Sequence, residues 1–91
     1  MTDLESAIAL RFVLLVAKQK GIEAEKVVLQ NSFVDDLGFD SLDSVELAMA
    51  VEGEFSVRVT DADEERLARV GEYVKFIAQM STESRPLGMV A

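Results

Sequence analysis

The chain contains one β-like run, Ser56-Val-Arg-Val-Thr60, and a single strand has nothing to pair with. That run reads as an extended connection, and the fold must therefore be built from helices. Apolar residues recur at helical spacing on both sides of it. Within 91 residues there is room for one core, since a domain usually takes about 100 to 150 residues. Hydrophobic residues make up 49% of the chain, a fraction at which a chain folds on its own. The expectation is an all-α domain: a small bundle of three main helices plus one short helix over residues 1–80, followed by a disordered tail over 81–91.

The first helix is expected at about 3 to 20. Thr2 and Glu5 have capping-box spacing, Leu4, Ile8, Phe12, Leu15 and Val16 follow the helical period, and Lys18 and Lys20 precede Gly21 at a C-terminus. From Gly21 to Asp40 no period is sustained. Ile22, Val27, Leu29, Phe33 and Leu37 are nevertheless too apolar for a solvated linker, so this connection is expected to pack on the core. It should contain a helical turn capped by Ser32 before Phe33-Val34-Asp35-Asp36. A second helix starts at Asp40 or Ser41 and runs through Phe55. Its two sides are both apolar: Leu47, Val51 and Phe55, with Ser44 and Ala48, lie opposite Leu42, Val45 and Met49. One stripe buries and the other stays exposed, flanked by Glu46 and Glu52. A short third helix is expected from Asp61 to Leu67, its acids filling the first turn. The last is expected at about 69 to 80, with Val70, Tyr73, Val74 and Ile77 inward.

Composition removes most chemistry. The chain has no Cys and no His, which excludes disulfides, Cys/His metal sites, thiolate nucleophiles and Ser/His pairs. Nine basic residues stand against 17 acidic ones, a net charge of −8, so nucleic acid and anionic membrane surfaces are disfavoured and a basic partner is favoured. The amino terminus lacks a secretory pattern and no apolar run approaches the roughly 18 residues of a membrane span. Cytoplasm is the expected compartment. Between Val27 and Glu65 there are 11 acids against one base, Arg58, and this excess overlaps the second apolar stripe, as suits a docking surface.

At the junction of the long connection and the second helix stands Asp36-Leu-Gly-Phe-Asp-Ser41-Leu-Asp-Ser-Val-Glu46. This segment resembles the acyl carrier proteins, in which Asp-Ser-Leu, here residues 40 to 42, marks the serine that takes a phosphopantetheine arm. The resemblance extends from Ser32-Phe-Val-Asp-Asp-Leu-Gly through Asp40-Ser-Leu-Asp-Ser-Val-Glu-Leu-Ala-Met-Ala-Val-Glu to Glu54-Phe55. It implies covalent 4'-phosphopantetheine on Ser41, transferase recognition by Asp40 and Leu42, and enzyme docking by Asp43, Val45, Glu46, Met49 and Glu52. It also implies a monomer with no catalytic residue and no metal of its own. A phosphopantetheinyl transferase would modify it, and acyl-chain synthesising and transferring enzymes with basic patches would use it.

The residues suit such a role. A carrier needs one exposed hydroxyl, and a helix start places a new phosphodiester near unpaired N–H groups and the positive dipole end. Three departures from the family pattern stand out. Phe39 precedes Asp40 where a smaller residue is common, Gly53 replaces an acid, and Thr60 stands where Pro is frequent.

Rival readings are weaker. Asp35 and Glu46 have the spacing of the first and twelfth positions of a calcium loop, but Leu37, Phe39 and Asp40 fall where oxygen ligands and a glycine are required. Clustered carboxylates acting as acid and base would need a dry pocket, which an exposed helix face does not supply. Peptidyl and D-alanyl carriers share the arm and the helical fold. The acidic second helix and the Asp-Ser-Leu sequence favour fatty-acid or polyketide acyl groups.

Overall fold

The structure, a computed structural model, describes residues 3–90, with side chains through Ser81. Four helices follow one another: α1 (Asp3–Lys20), α2 (Ser41–Phe55), α3 (Asp61–Arg66) and α4 (Val70–Val90), with a 3-10 turn at Ala24–Lys26 between α1 and α2. This is the expected all-α bundle of three main helices and a short one. Ser56, left-handed at φ 56°, closes α2, and the connection from there to Thr60 has no strand pairing among the described residues.

α1 buries Ile8, Phe12, Val16 and Ala17, while Leu4 and Leu15 are half-buried. Gly21 takes the left-handed conformation at φ 69°, and the Ile22 N–H then donates to the Ala17 carbonyl at 3.0 Å, closing the helix end. Ile22 itself is 37% exposed, against its expected place on the core. The expected Thr2 cap lies outside the described residues.

The long connection packs on the bundle through Val27, Phe33 and Phe39, all buried. Ser32 caps a turn: its Oγ accepts from the Asp35 N–H at 3.1 Å and its own N–H donates to the Asp36 carboxylate at 2.7 Å. The connection is also tied to α4. Val70 and Gly71 donate to the carbonyls of Asn31 and Leu29 at 3.0 and 2.8 Å, and Phe33 donates to the Ala68 carbonyl at 3.0 Å. These bonds satisfy N–H groups at the start of α4 that have no partner within the helix.

An aromatic cluster joins the layers. Phe12 stacks on Tyr73 with ring centroids 4.8 Å apart, and Phe33 meets both Tyr73 at 5.7 Å and Phe39 at 5.1 Å. Val70, Tyr73, Val74 and Ile77 of α4 face inward as the spacing predicts, joined by Phe76 and Ala78. α4 continues past the end expected near residue 80. The helix runs to Val90 with Pro86 inside it, against the residue's usual effect of breaking a helix. The side chains of most of the expected tail, from residue 82, lie outside the described residues.

Candidate functional site

α2 begins where a capping box fixes the chain. The Asp40 carboxylate accepts from the Asp43 N–H at 2.9 Å, and the Asp43 carboxylate accepts from the Asp40 N–H at 3.1 Å. Two groups at the end of α1 hold the same turn: Lys20 Nζ lies 3.1 Å from the Asp43 carboxylate, and Gln19 donates to the Asp43 carbonyl at 2.8 Å. The Asp40 N–H first, and then Lys20, hold the Asp43 carboxyl below its ordinary 3.8. Just upstream, Gly38 makes the sharp turn at φ 69°, a conformation that costs other residues about 1–2 kcal/mol. Phe39, one of the departures, is a core residue at 5% exposure, with Lys20 Nζ 5.3 Å from its ring centre.

Ser41 is the first residue of this braced helix, and it is exposed. Its hydroxyl makes no hydrogen bond among the described residues. The N–H groups of Ser41 and Leu42 have no acceptor within the helix. An anion linked to Ser41 Oγ would therefore meet unpaired donors and the positive end of α2. The position fits a phosphodiester-linked arm on both counts.

The outer stripe is as expected. Leu42, Val45 and Met49 are 65%, 53% and 65% exposed, while Leu47 and Val51 bury on the opposite side. Glu46 and Glu52 are exposed beside the strip. Asp43 and Glu52 also hold the chain itself, since Glu52 accepts from the Val59 N–H at 2.9 Å and so fastens the connection after α2.

A groove opens beside Ser41, bordered by Val34, Phe39, Ser44, Val45, Glu64 and Glu65. It shares Val34, Phe39, Ser44, Glu64 and Glu65 with a partly open cavity of about 360 Å³ that reaches Phe33, Leu47, Leu67 and Tyr73. Ser41 thus stands at the mouth of a space that leads into the core between α2, α3 and α4. Glu64 faces this space with its carboxyl pushed up by burial and then by the charge of Asp61. Tyr73 lines it too, its phenol pushed up by burial and by the charges of Glu64, Glu52 and Asp63.

Sequence reasoning passed over two of these features. Thr60, noted only as a departure, caps α3: its Oγ accepts from the Asp63 N–H, and the Asp63 carboxylate accepts from the Thr60 N–H, both at 3.1 Å. The Thr-x-x-Asp spacing carried that signal. Glu64 belongs to the acidic first turn of α3, and its place on the cavity has no signal in the sequence.

Residues 11–77 match the family described as phosphopantetheine attachment site. The chain is also 44% identical, over 69 residues, to an acyl carrier protein of Clostridium acetobutylicum, a match that covers 76% of this chain and 90% of that protein. The proteins of that family are carriers and not catalysts, which agrees with the exposed and unassisted hydroxyl at residue 41. The chain belongs to the acyl carrier protein family.

Proposed function

We propose that residues 1–80 form a carrier domain in which Ser41 takes the phosphopantetheine arm and the acyl cargo is handed between enzymes of fatty-acid or related biosynthesis. The observation that carries this reading is the exposed Ser41 hydroxyl at the start of a helix held by Asp40, Asp43, Gln19 and Lys20. The arm, when attached, supplies a terminal thiol that takes acyl groups as thioesters. The chain presents the hydroxyl, stabilises the attached phosphodiester with the first N–H groups of α2, and gives partner enzymes a surface. No base near Ser41 is needed for this, because the modifying transferase activates the hydroxyl.

Asp40 and Leu42, on either side of Ser41, are the residues for the transferase to read. Val45 and Met49 supply apolar contact, and Glu46, with Asp43 and Glu52, supplies charge for basic patches on partner enzymes. The groove beside Ser41 gives the acyl chain a way into the adjoining cavity. No helix among the described residues is long and apolar enough to cross a membrane. The acidic surface and the carrier reading lead us to place the protein in the cytoplasm as a monomer.

The test is intact mass before and after incubation with coenzyme A and a broad-specificity phosphopantetheinyl transferase. The chain is expected to gain one arm and Ser41→Ala none. A folded, unmodified chain that gains nothing, or a Ser41→Ala variant that gains as much, would overturn the assignment.

A further inference from the structure

The two ends of the face presented by α2 differ in charge. Arg58 is the only base between Val27 and Glu65. It is exposed, while Val57 before it is buried and Val59 after it packs half-buried on the core. The Glu52 carboxylate, beside the outer strip of α2, accepts from the Val59 N–H at 2.9 Å, which draws this connection alongside the strip. Arg58 therefore stands at the far end of the strip of Leu42, Val45 and Met49. Ser41 stands at the near end, about 18 Å from Gly53 at 1.5 Å of rise per residue.

The acids at the far end leave Arg58 unmatched. Glu52 is turned to Val59, and Glu54 is held by Arg11. Gly53, one turn beyond Met49 on the same side, leaves open space where a side chain would stand. Asp61 lines one hollow with Arg58 and Glu52, yet Arg58 makes no ion pair among the described residues. Near Ser41 the unpaired charge has the opposite sign, that of Glu46. A partner with bases along the whole of α2 would bring one of them against Arg58, and like charges pressed together are costly. A carboxylate at that place would instead meet the guanidinium fork. We infer that the partner enzymes of this chain carry a polar charge pattern, with bases opposite Glu46 near the arm and an acidic side chain opposite Arg58 at the far end of α2. This inference rests on the carrier reading and adds the charge pattern of the partner to it.

The experiment uses the chain with its arm loaded, an acyl-transferring enzyme whose docking patch is basic throughout, and single Glu replacements of each base in that patch. Transfer is followed as kcat/KM at low salt and near 1 M salt. With the unaltered enzyme, Arg58→Glu is expected to raise kcat/KM roughly threefold at low salt, the scale of an exposed charge pair, and to have no effect near 1 M, where charges are screened within about 3 Å. Arg58→Lys keeps the charge and should behave as the unsubstituted chain. One of the Glu replacements in the enzyme is expected to speed transfer with the unsubstituted chain and to slow it with Arg58→Glu. Replacements that all slow both chains alike overturn the inference, as does an Arg58→Glu effect that persists near 1 M salt or is matched by Arg58→Lys. If Ser41 accepts no arm at all, the carrier reading fails and this inference with it; normal loading with a silent Arg58→Glu overturns the inference alone.

Discussion

Asp43 shows how one side chain links the local start of a helix to the tertiary position of Ser41. Its carboxylate closes the capping box with Asp40 and meets Lys20 of α1 at 3.1 Å, so the turn carrying Ser41 is fixed from within α2 and from α1 together. These contacts favour the ionised form, and its folded pKa lies below the ordinary 3.8. A carboxyl whose pKa is lowered by folding stabilises the fold above its unfolded pKa, and the contribution disappears as pH falls through the folded one. Asp43→Asn is therefore expected to lower the urea midpoint at pH 5 to 7. The gap from the unsubstituted protein should narrow progressively below about pH 3.8. A gap of constant size from pH 7 to pH 2 would show that the charge of Asp43 is not what holds the turn. Thr60 makes a similar case at α3, and Thr60→Ala should cost about 1 kcal/mol, the usual loss for an N-cap, measured by urea unfolding at pH 7.

At the level of elements, the four helices differ in what holds them. α1, α2 and α4 insert Phe12, Val51 and Ile77, each 0% exposed, into the core. α3 buries none of its own residues and is six residues long, far below the length at which a helix stands alone. It rests on the Thr60 capping box, the Asp63–Arg66 pair and Leu67, the buried residue just after it. Opening of α3 should therefore cost less than global unfolding. Amide exchange is expected to be faster in α3 than at the centres of α1 and α4, and Thr60→Ala should speed it roughly fivefold further, in proportion to the lost cap. Protection in α3 equal to that in α4 would contradict this ranking. On the proposed reading such opening would bear on cargo, because Glu64 and Glu65 of α3 border both the groove beside Ser41 and the adjoining cavity.

These differences also explain what the sequence made legible. Caps and period located α2 and α3 to within a residue, and the two stripes of α2 separated as expected, because both signals are local. The bonds of Leu29 and Asn31 to the start of α4 join residues about 40 positions apart, and no local pattern announces them. The exposure of Ile22 and the placing of Glu64 and Tyr73 on one cavity have the same origin in tertiary geometry. The place of Ser41 at a helix start was legible in a local turn and cap, whereas its reading as the attachment residue came from the resemblance of the flanking segment and not from the cap.

At the scale of the whole molecule, charge is arranged as well as abundant. Arg11 is paired with Glu54, Lys20 with Asp43 and Arg66 with Asp63, and Arg69 donates to the Gln30 carbonyl at 2.7 Å. These bases are engaged within the fold, whereas Glu46 stands exposed beside Leu42, Val45 and Met49 with no ion pair among the described residues. The net charge of −8 thus acts outward near Ser41, where on the proposed reading it would speed encounter with a basic enzyme and orient it. Screening separates this effect from apolar contact, because the Debye length falls from about 10 Å at 0.1 M salt to about 3 Å at 1 M. Glu46→Gln is expected to lower kcat/KM for modification by a basic phosphopantetheinyl transferase about twofold at low salt, the scale of one exposed charge. That difference should vanish near 1 M salt. Met49→Ala should reduce kcat/KM by a factor that persists at high salt, since apolar burial is not screened. If Glu46→Gln were silent at low salt while Met49→Ala remained costly, recognition would rest on the apolar strip, and the acidic border would serve solubility instead of docking.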